Sequence, residues 1–204
     1  MPKLWSFGDS FTYGEGVKYT DTFSYQIASK LNLDPIILGS RGASNSDIEG
    51  AIEHYSRNFK KNDLILINWS TPHRDSKDMN DYYNKRREYG NLKFKPTKFL
   101  EQLVRVDKLL KPFNFFMTQA FNPIFGYDYD VDSKYKFERY IEWGKPNNTL
   151  VDIITDNWLK DNQKHFFMSL YPVPFIDENF ADDKKHPSRI GHELIANKLL
   201  EYIK

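Results

Sequence analysis

The chain has 204 residues, which is enough for one domain with a buried core and a cleft. Hydrophobic residues make up 40% of the sequence and charged residues 28%, a balance typical of globular proteins rather than disordered ones. The formal net charge of +1 gives no electrostatic reason to expect a nucleic acid as a partner. Because there are no cysteines, disulfides, a thiolate nucleophile and a cysteine-based zinc site are excluded.

The N-terminal segment lacks the apolar stretch of a secretory signal peptide. No apolar run in the sequence approaches the roughly 20 residues that a membrane helix needs. We therefore expect a cytoplasmic protein that does not work at a membrane.

Short apolar runs alternate along the chain with amphipathic segments, which is typical of repeated β-α units. The predicted strands are Lys3–Phe7, Pro35–Leu38, Leu64–Trp69, Phe113–Thr118 and His165–Leu170. The predicted helical faces run from Phe23 to Leu31, Ile48 to Phe59, Leu100 to Leu110, Leu150 to Leu159 and Ile190 to Ile203. This order predicts a single α/β domain over residues 1–204, a three-layer α/β/α sandwich around a five-stranded parallel sheet.

Local signals set some of the boundaries. Ser46 and Glu49 have the spacing of a capping box, which predicts the start of the second helix, and Pro112 ends the third. Two polar stretches, 74–98 and 122–148, follow the third and fourth strands and exceed the usual loop length. Since ligands bind outside the carboxyl ends of parallel strands, we expect both insertions to wall or cover a cleft there.

The first strand ends in Gly8-Asp9-Ser10, which places a serine at the carboxyl end of the sheet. Gly8 permits a tight turn, and Ser10 can then point into the cleft while its own N–H faces a developing oxyanion. Taken alone, this tripeptide is a common turn sequence.

The loop before the last helix supplies the second half of a catalytic set. Pro187 disfavours the helical region for His186 and so holds it in an extended conformation just outside the helix. Asp183, three residues earlier, can accept a hydrogen bond from Nδ1 of His186 and leave Nε2 free to take a proton from Ser10. Each motif is weak alone, but together they predict a serine hydrolase.

Three blocks of the sequence resemble those of the SGNH/GDSL hydrolase family. They are Gly8-Asp9-Ser10, Gly42 after the second strand, and Asp183 with His186-Pro187, the last of which continues into Gly191-His192. The resemblance covers almost the whole chain, because the blocks fall at both ends and in register with the strands.

The resemblance implies a flavodoxin-like sandwich that hydrolyses esters through an acyl-serine intermediate, with no metal or organic cofactor. By the same resemblance Ser10 is the nucleophile, His186 the general base and Asp183 its orienting carboxylate. The backbone N–H groups of Ser10 and Gly42 would donate to the oxyanion.

One block departs from the family pattern. The family usually has Gly-x-Asn-Asp after the third strand, and the asparagine side chain is its third oxyanion donor. No residue after the third strand of this chain matches that asparagine, and Asn68 is predicted to lie within the strand. The best substitute is Asn45, just before the second helix, for which a turn or capping role is the alternative.

Two functions from different classes fit these residues. The first is an esterase that acts on a small or carbohydrate-borne O-acyl group, for which O-acetyl is one candidate. Hydrolysis of an acyl thioester or a lysophospholipid would use the same residues, and the sequence does not choose between these substrates. The second is an SGNH-fold binding or structural module with weak or no turnover, suggested by the missing asparagine and by the 16% aromatic content.

Other ligand motifs are weak. The run 128–133 alternates carboxylates like a calcium loop, but it lacks the glycine at the sixth position and has Arg139 where a glutamate belongs, so we expect no metal. Gly14 and Gly16 are spaced too irregularly for a phosphate-binding loop, which argues against a nucleotide.

Overall fold

The computed structural model describes residues 1–70, 97–120, 139, 150, 153, 178–183 and 186–203. Four parallel strands form one sheet in the order β2-β1-β3-β4. Their bounds are β1 Lys3–Gly8, β2 Asp34–Gly39, β3 Leu64–Trp69 and β4 Asn114–Gln119. These strands confirm four of the predicted five, and the fifth, His165–Leu170, lies outside the described residues.

Five α-helices and two short 3-10 helices, Tyr19–Asp21 and Ser56–Asn58, accompany the sheet in the described part of the chain. The α-helices are α1 Ser10–Tyr13, α2 Phe23–Lys30, α3 Asn45–Tyr55, α4 Thr97–Leu110 and α5 Arg189–Ile203. Only Leu150 and Ile153 are described from the predicted helix 150–159. The predicted insertions, 74–98 and 122–148, fall outside the described residues except for Thr97 and Lys98, which begin α4, and Arg139.

Alternate residues of the central strands enter two separate cores. Leu4, Leu64 and Leu66 point to one face of the sheet, where they pack with apolar residues of α2 and α5. Trp5 and Ile65 belong to the opposite face and pack with apolar residues of α3 and α4. Since successive side chains of a strand point to opposite faces, a strand covered on both sides must be apolar throughout. The continuous run from Leu64 to Ile67 has this cause, and the predicted three layers are confirmed.

The start of α3 differs from the predicted one. Ser44 is the N-cap, and the capping box joins Ser44 to Asp47 rather than Ser46 to Glu49. The Ser44 hydroxyl accepts from the Asp47 N–H at 3.2 Å, and the Asp47 carboxylate accepts from the Ser44 N–H at 2.8 Å. The backbone N–H of Ser44 is the main cause that lowers the pKa of the Asp47 carboxyl.

Tertiary contacts decided between these two overlapping capping patterns. The predicted pair faces α4 instead of the helix end: Glu49 accepts two hydrogen bonds from the Arg105 guanidinium, at 2.6 and 3.0 Å. The Ser46 hydroxyl accepts from the Gln102 amide at 3.3 Å. Either pair satisfies the sequence pattern of a capping box, and only the position of α4 distinguishes them.

The carboxyl ends of three strands are level with one another. Gly8 of β1 is paired with Gly39 of β2 and with Asn68 of β3. The chain passes from β1 to β2 on one side and then crosses to β3 on the other, so the topological switch point lies beside β1. None of the helices in the described part of the chain combines the length and apolar composition needed to cross a bilayer.

Candidate active site

The first βα turn places Ser10 at the switch point. Asp9 caps α1, since its carboxylate accepts from the Phe11 N–H at 3.1 Å, and Ser10 is the first residue of the helix. As the first helical residue, Ser10 has a backbone N–H that is not used by the hydrogen bonds of its own helix. A Cβ on Gly8 would lie 2.1 Å from Oγ1 of Thr12, so only glycine permits this approach of helix and strand.

Neighbouring strands hold the short helix α1 in place. Thr12 accepts a hydrogen bond from the Asn68 side chain at the end of β3, at 3.2 Å. On the other side, a Cβ on Gly39 at the end of β2 would lie 2.3 Å from the backbone nitrogen of Tyr13. Helix α1 is therefore packed across the ends of two strands, and Ser10 is held at the carboxyl edge of the sheet.

A narrow loop presents His186 from the other end of the chain. Phe180 and Pro187 form an antiparallel bridge, and the Ala181 N–H donates to the His186 carbonyl at 2.8 Å. Helix α5 then starts directly beneath this loop, because a Cβ on Gly191 would lie 2.2 Å from the Asn179 carbonyl oxygen. The backbone of His186 is thus fixed by the loop and by the helix that follows it.

The structure brings the three sequence-predicted catalytic side chains together. Nε2 of His186 lies 3.0 Å from Oγ of Ser10, and Nδ1 lies 2.5 Å from Oδ2 of Asp183. The other oxygen of Asp183 accepts from the backbone N–H of His186 at 3.0 Å. The ring edge of His186 also contacts Phe11, with the ring centroids 6.0 Å apart. This is the arrangement of a nucleophile, a base and a carboxylate that orients the base.

Comparisons with known proteins find the same architecture. No family model matches the chain, and no curated protein matches its sequence at a significant level. Among solved structures, a lipolytic protein of the G-D-S-L family from Veillonella parvula matches with a TM-score of 0.56 at 18% identity, over 98% of this chain and 97% of that one. The psychrotrophic esterase EstA from Pseudoalteromonas matches with a TM-score of 0.55 at 13% identity, over 100% of this chain and 97% of that one. An acetyl-xylooligosaccharide esterase from Geobacillus matches with a TM-score of 0.53 at 14% identity, over 99% of this chain and 94% of that one.

The chain has the SGNH hydrolase fold. The predicted resemblance is confirmed at this level, because these matches span both chains almost completely.

The predicted oxyanion donor Gly42 lies in the loop that follows β2 in this SGNH fold. The loop contains a turn from Ser40 to Ala43, in which the Ser40 carbonyl accepts from the Ala43 N–H at 3.2 Å. Within this turn Gly42 has a φ of 68°. A Cβ at Gly42 would meet no atom of the described residues within 4 Å, and the left-handed backbone favours glycine here. Arg41 brings this loop over α1, with its guanidinium 5.3 Å from the Tyr13 ring centroid.

Asn45, the predicted substitute for the missing asparagine, is fully buried and tied to the end of β3. Its side-chain oxygen accepts from the Ser70 N–H at 2.8 Å, and its amide nitrogen donates to the Ser70 carbonyl at 3.2 Å. The capping alternative is wrong, since Ser44 is the N-cap. The amide therefore links the start of α3 to the residue that follows β3.

Sequence reasoning missed one residue of this site, Glu15. Its Oε2 lies 3.4 Å from Nε2 of His186, and its Oε1 lies 3.3 Å from Nε of Arg41. The available signal was the pair of flanking glycines: Gly14 and Gly16 have φ of 80° and 89°, so the chain turns sharply at both. That turn carries Glu15 back toward the nucleophile.

His192 lies near the site but belongs to the core, as expected for a structural histidine. It is fully buried, and its Nδ1 accepts from the Phe23 N–H at the start of α2, at 3.2 Å. Burial, with a smaller contribution from His186, lowers its pKa to about 3. No group of metal-ligating side chains occurs among the described residues, and the calcium-like run 128–133 lies outside them.

Proposed function

We propose that the protein is a carboxylic ester hydrolase that works through an acyl-serine intermediate. The observation that carries the proposal is the chain of contacts from Ser10 Oγ to His186 Nε2, at 3.0 Å, and from His186 Nδ1 to Asp183. The SGNH fold supports it, because the neighbours include proteins named as esterases.

Acylation follows from the protonation states that this geometry favours. Asp183 accepts from the Nδ1–H of His186, so the lone pair of Nε2 faces the Ser10 hydroxyl. The serine oxygen attacks the ester carbonyl carbon while its proton moves to Nε2, and the carbonyl oxygen becomes an oxyanion. The N–H groups of Ser10 and Gly42 are the proposed donors to that oxyanion.

Collapse of the intermediate uses the same proton. The imidazolium donates it from Nε2 to the ester oxygen, the carbon–oxygen bond breaks, and the alcohol leaves an acyl group on Ser10. Water then attacks the acyl carbon, again losing its proton to Nε2, and the Ser10 oxygen takes that proton as the acid leaves. Each step needs His186 alternately as base and acid, and Asp183 stabilises its charged form throughout.

The substrate class we propose is a small or carbohydrate-borne O-acyl ester, for which O-acetyl is the first candidate. An acetyl-xylooligosaccharide esterase is among the structural neighbours, which supports an acetylated sugar as one substrate to test. The 16 Phe and 13 Tyr of the chain support a sugar or an amphipathic acyl chain as the bound group.

The test combines p-nitrophenyl acetate turnover with fluorophosphonate labelling in wild-type protein and Ser10→Ala. We expect wild type to turn over the ester and be labelled once, and Ser10→Ala to lose labelling and at least about 10³-fold of the turnover. The choice of probe is supported by the neighbour EstA, whose structure was determined with monoethylphosphonate as inhibitor.

A matched control is Ser29→Ala, which removes a hydroxyl from an exposed position of α2 and should leave both readouts at the wild-type level. Equal turnover in wild type and Ser10→Ala, or wild-type protein that is folded and never labelled, would contradict the proposal. The second result would support the catalytically inactive binding module instead.

A further inference from the structure

The catalytic imidazole has a carboxylate beside each of its two nitrogens. Asp183 contacts Nδ1, as the carboxylate of a Ser-His-Asp triad does, whereas Glu15 lies 3.4 Å from Nε2. The same Nε2 is 3.0 Å from the Ser10 oxygen. Glu15 is therefore at the nitrogen that receives and returns the proton, where the reaction creates positive charge.

Glu15 is held in this position by its own backbone and by Arg41. Its N–H donates to the Ser10 carbonyl oxygen at 3.2 Å, and the left-handed Gly14 and Gly16 fix the turn on either side. Arg41 Nε lies 3.3 Å from Oε1, so Oε2 remains for the histidine. With 28% of its side chain exposed, Glu15 is partly shielded from water, which leaves its charge a larger effect than at a free surface.

The charge of Glu15 distinguishes between the two forms of His186. Toward the neutral ring, Nε2 presents a lone pair, and a carboxylate gains nothing from it. Once Nε2 carries the proton from Ser10, the N–H and positive charge face the carboxylate at ion-pair distance. Glu15 thus favours the charged ring, which is the form present in the transition state for acylation.

We propose that Glu15 is a positioning residue that stabilises the imidazolium form of His186 during the reaction, with Arg41 holding its carboxylate in place. This inference rests on the proposed serine hydrolase function. No proton passes to Glu15: the proton on Nε2 still goes to the leaving oxygen, and Glu15 acts only through the charge of the ring.

Glu15→Gln removes the charge and keeps the shape, and the pH profile is the decisive readout. Glu15 lowers the free energy of the charged ring both in the resting enzyme and in the transition state. Where the resting ring is neutral, the variant should lose about fivefold in rate, and where it is already charged, it should lose nothing. The pH at which the variant reaches half of its plateau rate should therefore lie about 0.7 pH unit lower than in wild type, which is the logarithm of that same factor, while the two rates coincide at the acid end.

The other charged and titratable groups around the ring stay the same in this comparison. Among the described residues, Asp183 contacts Nδ1, Arg41 lies behind Glu15, and His192 on α5 stays neutral near pH 7 because its pKa is about 3. Loss of a merely structural contact would reduce the rate by the same factor at every pH. Convergence of the two profiles at acid pH is specific to an effect on the charged ring.

The experiment measures the second-order rate of Ser10 labelling by a fluorophosphonate between about pH 5 and pH 9, so no natural substrate is needed. Glu53→Gln makes the same charge change on the exposed face of α3 and should follow the wild-type profile. A Glu15→Gln profile that matches wild type, or lies below it by a constant factor, would overturn the role of Glu15. Glu15→Asp keeps the negative charge but moves it away from Nε2, because the side chain is one methylene shorter. Its profile should lie between those of wild type and Glu15→Gln.

Two further outcomes keep the test decisive. If circular dichroism shows that Glu15→Gln does not fold, Glu15→Asp takes its place, and an unshifted profile in that variant overturns the inference. Folded wild-type protein without labelling overturns the proposed function, and the role of Glu15 falls with it. Labelled wild type with an unchanged Glu15 variant overturns the inference alone.

Discussion

Two histidines only six positions apart show how surroundings decide what a side chain does. His186 is partly exposed, and both of its nitrogens face groups that can exchange or stabilise a proton. His192 is fully buried, stacks on the Phe23 ring at a centroid distance of 5.7 Å and accepts the first N–H of α2. Since burial penalises the charged form, His192 acts as a neutral acceptor that joins α5 to α2.

His192 should make the stability of the protein depend on pH. In the folded state its pKa is about 3, whereas in the unfolded chain it returns to about 6.5, so only the unfolded chain takes up the proton between these values. The free energy of unfolding therefore falls as the pH drops below 6.5, by about 2 kcal/mol at pH 5 from this group alone. In His192→Asn, the difference in unfolding free energy between pH 7.5 and pH 5 should shrink by about that amount, measured by urea denaturation.

His54→Asn is the control for this prediction, because His54 is exposed on α3 and its ring packs against the neighbouring Tyr55 ring at the surface. That variant should retain the wild-type difference between the two pH values. A His192→Asn protein as sensitive to acid as wild type would show that other groups cause the dependence.

At the scale of elements, the position of Ser10, the proposed nucleophile, depends on how closely α1 approaches the sheet. The helix has only four residues and cannot be stable alone, so its position comes from its cap at Asp9 and its contacts with the ends of β2 and β3. Gly39 and Gly8 permit the contact because any Cβ there would overlap α1. These glycines help to set the position of the Ser10 hydroxyl from a distance.

Gly39→Ala should displace α1 and with it Ser10. The new Cβ would lie 2.3 Å from the backbone nitrogen of Tyr13. A backbone atom cannot move aside by a change of rotamer, so we expect a loss of about 2–4 kcal/mol in the free energy of unfolding. Ser10 labelling should also slow by more than about tenfold in the protein that remains folded, since a shift of ~1 Å breaks catalytic geometry. Urea unfolding and fluorophosphonate labelling measure the two effects.

Gly50→Ala is the matched control on α3, where an added Cβ meets no atom within 4 Å in the part of the chain that the structure describes. An exposed helical glycine costs about 0.5–1 kcal/mol relative to alanine, so this variant should gain stability by that amount and label normally. If Gly39→Ala behaved in the same way, the close packing of α1 on β2 would not be what places Ser10.

The link from Asn45 to Ser70 gives a second prediction at this scale. Asn45→Ala leaves the buried N–H and carbonyl of Ser70 without their side-chain partner, which should cost about 2–3 kcal/mol in urea unfolding. Because the amide is bonded to Ser70, we expect turnover of p-nitrophenyl acetate by the folded variant to fall by less than about tenfold. A loss of about 10²-fold or more in kcat would instead assign Asn45 as the third oxyanion donor.

At the scale of the whole molecule, the site depends on joining the two ends of the chain. Ser10 follows the first strand and His186 precedes the last helix, 176 positions apart in sequence. Helix α5 packs beside α2 on the same face of the sheet, with Ile195 and Leu199 in the core that also contains Phe23 and Ile27. The packing of this last helix against α2 places the histidine loop beside the first βα turn, so the site depends on a contact between the two ends of the chain.

The sequence by itself determined the layers, and it named the side chains of the proposed catalytic set. Apolar runs such as Leu64 to Ile67 predict buried parallel strands, because both faces of such a strand are covered. In α2 and α4 the apolar residues recur with the period of a helix, because one face of each helix packs on the sheet. The triad residues could be named because Gly8 and Pro187 each restrict the backbone locally, next to the residue that carries the chemistry.

Only the tertiary structure decided which polar groups meet. Two capping boxes fit the start of α3, and the one that forms depends on Arg105 and Gln102 of a helix some fifty-six positions away. From the sequence, Asn45 is equally suited to cap a helix or to donate to an oxyanion. In the structure its amide is hydrogen-bonded to the backbone of Ser70. Glu15 has no local pattern that ties it to a histidine 171 positions further along (186 minus 15). Hydrogen bonds and ion pairs between distant residues depend on distances of a few tenths of an ångström, which no local propensity specifies.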